Sequence, residues 1–214
     1  MVNQYLAAQK LLGVCAHLSR PPASQHFKPF IIGSRNNRNV IDLDKTSICL
    51  RNAMNFIGSL IHQRGRVFFL RTKNDIHDEI LSKMATKIGC THNSQMGIPG
   101  YSTFTPGLAK NSSKKIKINF SGSHQKPDCY VILGSESSDR KHAVIQEADR
   151  SQIPTVCLVD TGMPMKYFEM VTYPIPAIDS TQFVYLFCNL VTKTVLRDRE
   201  NNDKEKNKSR ILTF

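Results

Sequence analysis

The sequence predicts an α/β fold, with a single doubly wound, mostly parallel sheet flanked by helices. Three short runs with few polar residues carry this prediction, at residues 67–70, 129–133 and 153–159. Runs without polar alternation are typical of strands whose two faces are both covered by helices. Amphipathic stretches separate them, and alternating strands and helices favour parallel pairing with right-handed crossovers.

The 214 residues suffice for one domain of this class and are short for two. We expect that domain over residues 1–196, with an irregular excursion at 92–126 rich in glycine, proline and serine. Residues 197–214 are expected to form a mixed-charge tail that need not fold. The first residues lack the apolar centre of a secretory signal, and no run approaches the ~18 apolar residues needed to span a bilayer. These two observations predict a soluble, intracellular protein.

The charge of the chain predicts a polyanionic partner. Lys and Arg number 29 against 17 Asp and Glu, a net charge of +12. Nucleic acid is the first candidate and an anionic membrane surface the second.

The N-terminal part is predicted to begin with an amphipathic helix over residues 11–18, which two prolines stop. The chain from there to Val40 is basic, and no carboxylate precedes Asp42. Its cations either contact phosphate groups or belong to a solvated loop, and both interpretations stay open. The basic residues in question are Lys28, Arg35 and Arg38.

Two short strands, at 30–32 and 39–43, are predicted within and just after this basic stretch. A helix is expected from 46 to 62, with Asp44 or Thr46 as its cap and a wide apolar face toward the sheet.

The buried strand at 67–70 is followed by Arg71 and Lys73, then by a helix predicted over 76–88. This βα unit places both cations at the carboxyl edge of the sheet, where ligands of α/β folds bind. Farther on, residues 115–120 alternate as a half-exposed strand does. Lysines there either block unwanted strand pairing or contact RNA phosphates. They are Lys114, Lys115 and Lys117.

In the C-terminal part, the strand at 129–133 precedes a helix over 141–150, and the strand at 153–159 ends on Asp160. A loop at 163–170 and an edge strand at 173–176, restricted by its two prolines, come next. A helix over 181–196 closes the predicted domain.

Known catalytic and metal motifs give little support for an enzyme. Glycine-rich nucleotide loops, paired His or Cys ligands and a serine elbow do not occur, so no cofactor and no metal site is predicted. The six cysteines are scattered singly, which indicates small buried hydrophobic residues in a reducing compartment.

One short motif does raise an enzymatic alternative. Asp160, Thr161 and Gly162 resemble the Asp-Thr-Gly of aspartic proteases, but that fold is all-β and a single copy would require a homodimer. A broader alternative is an α/β enzyme that acts on a phosphorylated or anionic substrate at the Asp160 edge. It would need a closed pocket with perturbed titrating groups.

Five sequence blocks in order resemble the ribosomal protein S2 family. They are residues 11–18; 27–31 with 35–37 and 40–46; 67–73; 127–128 with 147–148 and 153–154; and 159–161 with 164 and 173–176. The chain departs from bacterial members because residues 107–126 replace a long helical hairpin, and residues 92–105 replace an Arg-Trp loop.

The resemblance implies a structural constituent of the small ribosomal subunit, without enzymatic activity. It implies binding to ribosomal RNA and to neighbouring small-subunit proteins, and no membrane partner. The departures and the basic character favour an organelle, the mitochondrion ahead of the plastid. The expected RNA contacts are the eight cations Lys28, Arg35, Arg38, Arg71, Lys73, Lys114, Lys115 and Lys117. Asp160 is then expected to form a turn by bonding backbone amides.

Overall fold

The computed structural model describes residues 2–19, 23–70, 74–88, 91–92, 127–134 and 138–211. The strands in these ranges are β1 Ile31–Arg35, β2 Arg38–Ile41, β3 Val67–Phe69, β4 Thr91–His92, β5 Cys129–Ile132, β6 Thr155–Val159 and β7 Tyr173–Pro176. The α-helices are α1 Val2–Gly13, α2 Leu43–His62, α3 Asp75–Ile88, α4 Ser138–Arg150, α5 Met165–Met170 and α6 Thr181–Ile211, and a 3-10 helix covers Gln25–Phe30.

The main sheet is parallel throughout its described strands, in the order β4-β3-β5-β6-β7. Four strands form its body, and the two-residue β4 adds to one edge. The predicted α/β class is therefore confirmed. The proline-containing β7 lies at the opposite edge, as expected from its missing backbone donors.

Helices cover both faces of this sheet, which explains why its strands lack polar alternation. Along β5, Cys129 and Val131 point into the core shared with α2, α3 and α6. Tyr130 and Ile132 point to the opposite side, where α4 packs. All four side chains are buried, so every position of the strand must be apolar.

The first two predicted strands form a separate antiparallel hairpin rather than part of the main sheet. Asn36 and Asn37 make its two-residue turn with φ of 51° and 57°. Positive φ at both turn positions defines the type I′ turn, which asparagine tolerates better than most residues. The turn places Arg35 and Arg38 directly opposite each other.

Helix α2 begins earlier than predicted, and neither proposed cap is correct. Asp42 is the N-cap, and its Oδ1 accepts from the backbone N–H of Asp44 at 3.0 Å. Thr46 is instead fully buried, and its hydroxyl lies 2.9 Å from the carbonyl oxygen of Pro176. Thr46 thus ties α2 to the edge strand β7.

Helix α1 and the predicted loop at 163–170 also differ from their predictions. Helix α1 ends at Gly13 instead of running over 11–18, because Cys15 adopts the left-handed conformation with φ of 54°. The N–H groups of Cys15 and Ala16 bond to the carbonyls of Leu12 and Leu11, the pattern of a Schellman stop. In the predicted loop at 163–170, six residues form the short helix α5.

Helix α6 continues to Ile211, beyond the predicted end at 196. Residues 181–211 contain neither glycine nor proline, so nothing in the local sequence stops the helix. Within the described ranges, no helix has the length and apolar character needed to cross a membrane.

Deleting all residues after Arg197 should shift the melting temperature by no more than a few degrees. Val195, 2 % exposed, is the last core residue described on α6, so the deletion leaves the core complete. A longer deletion, of all residues after Leu190, also removes the buried core residues Val191 and Val195 and should destabilise strongly. Equal losses in the two proteins, followed by thermal unfolding, would show that the tail packs.

Candidate nucleic-acid interface

Two arginines face each other across the β1–β2 hairpin. Arg35 and Arg38 are register partners next to the turn, and both are exposed. Like charges directly opposite each other destabilise a strand pair. Among the described residues, no carboxylate lies within ion-pair distance of Arg35 or Arg38. An anion bound between them would relieve this repulsion.

Asp42, the first carboxylate after the hairpin in the sequence, does not neutralise these arginines. Asp42 caps α2 and forms an ion pair with Lys45, with 3.6 Å between the Nζ of Lys45 and the Oδ2 of Asp42. Lys45 also donates to the carbonyl of Pro29. The positive charge of the hairpin therefore remains available to an external partner.

An open groove of about 480 Å³ lies beside the hairpin. Its lining comprises His17, Leu18, Arg35, Asn36, Arg38 and Val40. The Nδ1 atom of His17 is buried and has no hydrogen-bond partner among the described residues. His17 therefore contributes its ring to the groove lining, while its Nδ1 is turned away from solvent.

The third predicted cation described here, Lys28, is exposed on the 3-10 helix that leads into β1. Phe27 beside it is fully buried and meets the ring of Phe168 edge-on, with centroids 5.3 Å apart. This aromatic contact fixes the helix, so Lys28 is displayed from a well-anchored segment.

Backbone bonds attach the hairpin to the body of the protein. The N–H of Ser19 donates to Asn39 at 3.0 Å, and the N–H of Ile41 donates to His17 at 2.7 Å. Residues 17–19 thus extend the hairpin on the β2 side. The hydroxyl of Ser19 then meets the buried hydroxyl of Thr161 at 3.3 Å, just past the end of β6.

Asp160 forms the turn at the end of β6, as expected. Its Oδ1 accepts from the N–H of Thr161 at 2.8 Å, and its carbonyl accepts from Met163 at 3.0 Å. Thr161 also accepts from the N–H of Ser24 at 2.9 Å. The turn therefore holds the N-terminal segment. The parallel α/β sheet excludes the all-β aspartic protease fold for this motif.

Replacing Thr161 with Val should lower the free energy of unfolding by about 1–3 kcal/mol, because it removes a buried hydroxyl from a hydrogen-bonded set. Thr161→Ser keeps the hydroxyl and is the matched control. Urea unfolding of both variants checks the difference. A loss in Thr161→Val no larger than that in Thr161→Ser would contradict a dominant contribution from the hydroxyl.

The family model for ribosomal protein S2 matches residues 11–118 and 105–198. The small ribosomal subunit protein uS2m of Arabidopsis thaliana is 43 % identical, over 89 % of this chain and 88 % of that protein. The chain belongs to the ribosomal protein S2 family. The uS2m protein of Marchantia polymorpha is 35 % identical, over 93 % of this chain and 94 % of its own length. The uS2m protein of Schizosaccharomyces pombe is 29 % identical, over 82 % of this chain and 69 % of its own length.

Five of the eight predicted RNA contacts of this S2 protein, Arg71, Lys73, Lys114, Lys115 and Lys117, lie outside the described residues. The three others, Lys28, Arg35 and Arg38, are all exposed. The prediction missed His17 and Asn36 of the groove. The one available signal was their position inside the first two S2-like blocks.

The titrating groups of this S2 protein fit a structural role. Burial raises the pKa of Cys129 and of Cys188 to about 12, so both thiols stay protonated as small core residues. Cys15 is exposed, contrary to the expectation of burial. Among the described residues, no group of His, Cys, Asp and Glu could hold a metal ion.

His77 should make the stability of this S2 protein depend on pH. The ring is buried on α3, and its Nε2 lies 2.9 Å from the Thr181 hydroxyl. Burial lowers the pKa of His77 below 6.5, although Asp179 and Asp78 partly offset this. Because the unfolded chain takes up the proton first, this contribution is complete above pH 6.5 and is lost as pH falls through the lower, folded pKa.

The variant His77→Gln cannot titrate and should flatten this part of the pH dependence. Urea unfolding at several pH values between about 7.5 and 5 measures the slope. Identical slopes in the variant and the parent protein would show that other groups cause it.

Proposed function

We propose that this protein is a structural constituent of the small subunit of the mitochondrial ribosome, with the β1–β2 hairpin as an RNA-binding element. Family membership supports the ribosomal role, and the relatives' printed name, uS2m, favours the mitochondrion over the plastid. The observation that carries the RNA contact is the exposed pair Arg35 and Arg38, unneutralised on an anchored hairpin.

The proposed RNA contacts combine phosphate and base or sugar groups. Arg35 and Arg38 supply forked donors that match a phosphate, and Lys28 adds a point charge nearby in the chain. Asn36, exposed in the groove lining, is proposed to hydrogen-bond a base edge or a ribose hydroxyl. Arg71, Lys73, Lys114, Lys115 and Lys117 are proposed as further phosphate contacts.

This role involves no reaction, in keeping with the structural nature of the S2 family. The alternative of an enzyme at the Asp160 edge has no support from the geometry. The hydroxyl of Thr161 bonds to the carboxylate of Asp160 and to the hydroxyl of Ser19, and the same carboxylate accepts from the N–H of Thr161, so both groups belong to the turn. Neighbouring small-subunit proteins are the other partners that we propose.

Sedimentation of the tagged protein in mitochondrial extracts tests this function. We expect it in the small-subunit peak, and a reduced share there for the double variant Arg35→Ala with Arg38→Ala. Lys87→Ala with Lys193→Ala removes the same charge from exposed positions on α3 and α6 and is the control. A tagged protein that stays at the top of the gradient would refute the proposal.

A further inference from the structure

A second groove, of about 370 Å³, lies between α1, α2 and α6 and is unrelated to the hairpin. Leu11, Leu50 and Met54 form its buried apolar floor, each at most 7 % exposed. Leu186 and Leu190, one helical turn apart on α6, are half-buried in its wall. The groove thus presents aliphatic surface from three helices.

The charge at this groove has one sign. Lys10 and Arg51 lie in the lining, together with the neutral residues Ser47, Asn55 and Thr194. None of the ten lining residues that the structure describes is acidic. Ile48, 49 % exposed, lies one turn before Arg51 on the same helix face and extends the apolar surface.

We propose that this α1–α2–α6 groove binds an acidic amphipathic helix of a neighbouring protein in the small subunit. The apolar face of such a helix would place residues at i, i+4 and i+7 on the floor. Carboxylates along its sides would meet Lys10 and Arg51. The inference rests on the proposed assembly of this chain into the small subunit.

The other candidate occupants of the groove are disfavoured by their positive charge or by their lack of an apolar face. Residues 93–126 of this chain contain five lysines and no Asp or Glu, so they would bring positive charge to a positive rim. A second copy of the chain carries +12 and is repelled on average. RNA would satisfy Lys10 and Arg51, but its phosphates would gain nothing from the aliphatic floor.

A photo-crosslinking amino acid at position 55 tests the groove in assembled subunits. Asn55 lines the groove, whereas Asn52 is exposed on the same helix outside the lining and gives the matched control position. Small subunits that contain the tagged protein are isolated by sedimentation and irradiated. The crosslinked peptide is then identified by mass spectrometry.

We expect the probe at position 55, and not at 52, to crosslink to a helical protein segment with apolar residues at i, i+4 and i+7 and flanking carboxylates. Arg51→Glu should reduce that crosslink by about tenfold, through repulsion of the carboxylates. Arg64→Glu, an exposed arginine just beyond the end of α2, should leave it unchanged.

Other results would overturn the inference. One such result is a crosslink from position 55 to RNA, to this chain or to a basic protein segment. Another is a crosslink yield at position 55 no higher than at position 52. A third is a crosslink yield that Arg51→Glu leaves unchanged. In each of these results the tagged protein still sediments with small subunits, so the proposed function is not contradicted. Absence of the protein from the small-subunit peak would overturn both proposals.

Discussion

The double change of Arg35 and Arg38 to Ala should flatten the salt dependence of RNA binding by up to about two units in a log–log plot. Each phosphate contact releases condensed counterions from the RNA, and its removal lowers the slope by roughly one on a duplex. At about 0.1 M salt the affinity should fall on the order of 10- to 100-fold, because two contacts are lost. The effect should be similar for all RNA sequences.

The melting temperature of this double variant should change little. Both side chains are exposed, and the removal of two like charges that face each other relieves repulsion. Filter binding at several salt concentrations gives the slope, and the Lys87→Ala and Lys193→Ala double variant supplies the charge-matched control. An unchanged slope would mean that the hairpin does not touch RNA, whereas loss of the fold would make the arginines structural.

The parallel core could be predicted because burial on both faces leaves a clear mark in the sequence. The strands β3, β5 and β6 all appear as apolar runs, and the βα alternation gives their relative direction. Edge strand β7 was also predictable, from its two prolines. These features depend on local composition, which a single sequence contains.

The element ends were less predictable because they depend on backbone conformation and distant contacts. Cys15 stops α1 in a left-handed conformation that its residue type does not indicate. Thr46 looked like a cap, yet it bonds to Pro176, which is 130 residues away in sequence. Asp42 begins α2 in its place, and its side chain caps the helix by accepting from the N–H of Asp44.

The charges of the site could be predicted from the sequence, but the contacts that hold the hairpin in place could not. Arg35 and Arg38 attract attention because the first 41 residues contain no carboxylate. Their cross-strand pairing follows from the turn at Asn36 and Asn37, which sequence alone did not reveal. The bond between Thr161 and Ser19 spans 142 positions and could be found only in the fold.

The contacts that anchor the hairpin link the stability of the core to the proposed RNA contact. A phosphate-binding pair gains affinity when its geometry is fixed before binding, since less conformational entropy is lost. Here the hairpin is fixed through residues 17–19 and Thr161 to the end of β6, an inner strand of the main sheet. Changes that loosen the sheet should therefore weaken RNA binding without touching an arginine.

The core variant with the largest expected effect is Phe187→Ala on α6. Its ring is fully buried in the core between α6 and the sheet, together with Val131 and Leu158. Loss of a buried aromatic ring costs about 3–5 kcal/mol through lost apolar burial and the cavity left behind. That is a large part of the roughly 5–15 kcal/mol that stabilises a typical domain.

For a chain of this size the loss corresponds to a fall in melting temperature of roughly 6–20 °C. Tyr185→Ala, on the same helix and 59 % exposed, is the control and should change stability by less than about 1 kcal/mol. Thermal unfolding followed by circular dichroism compares the two. Because the variant removes no positive charge, it should keep the parent salt slope at temperatures where it is folded, even where a loosened sheet lowers its affinity for RNA. A small loss for Phe187→Ala, or a loss equal to that of Tyr185→Ala, would contradict the packing of α6 against the sheet.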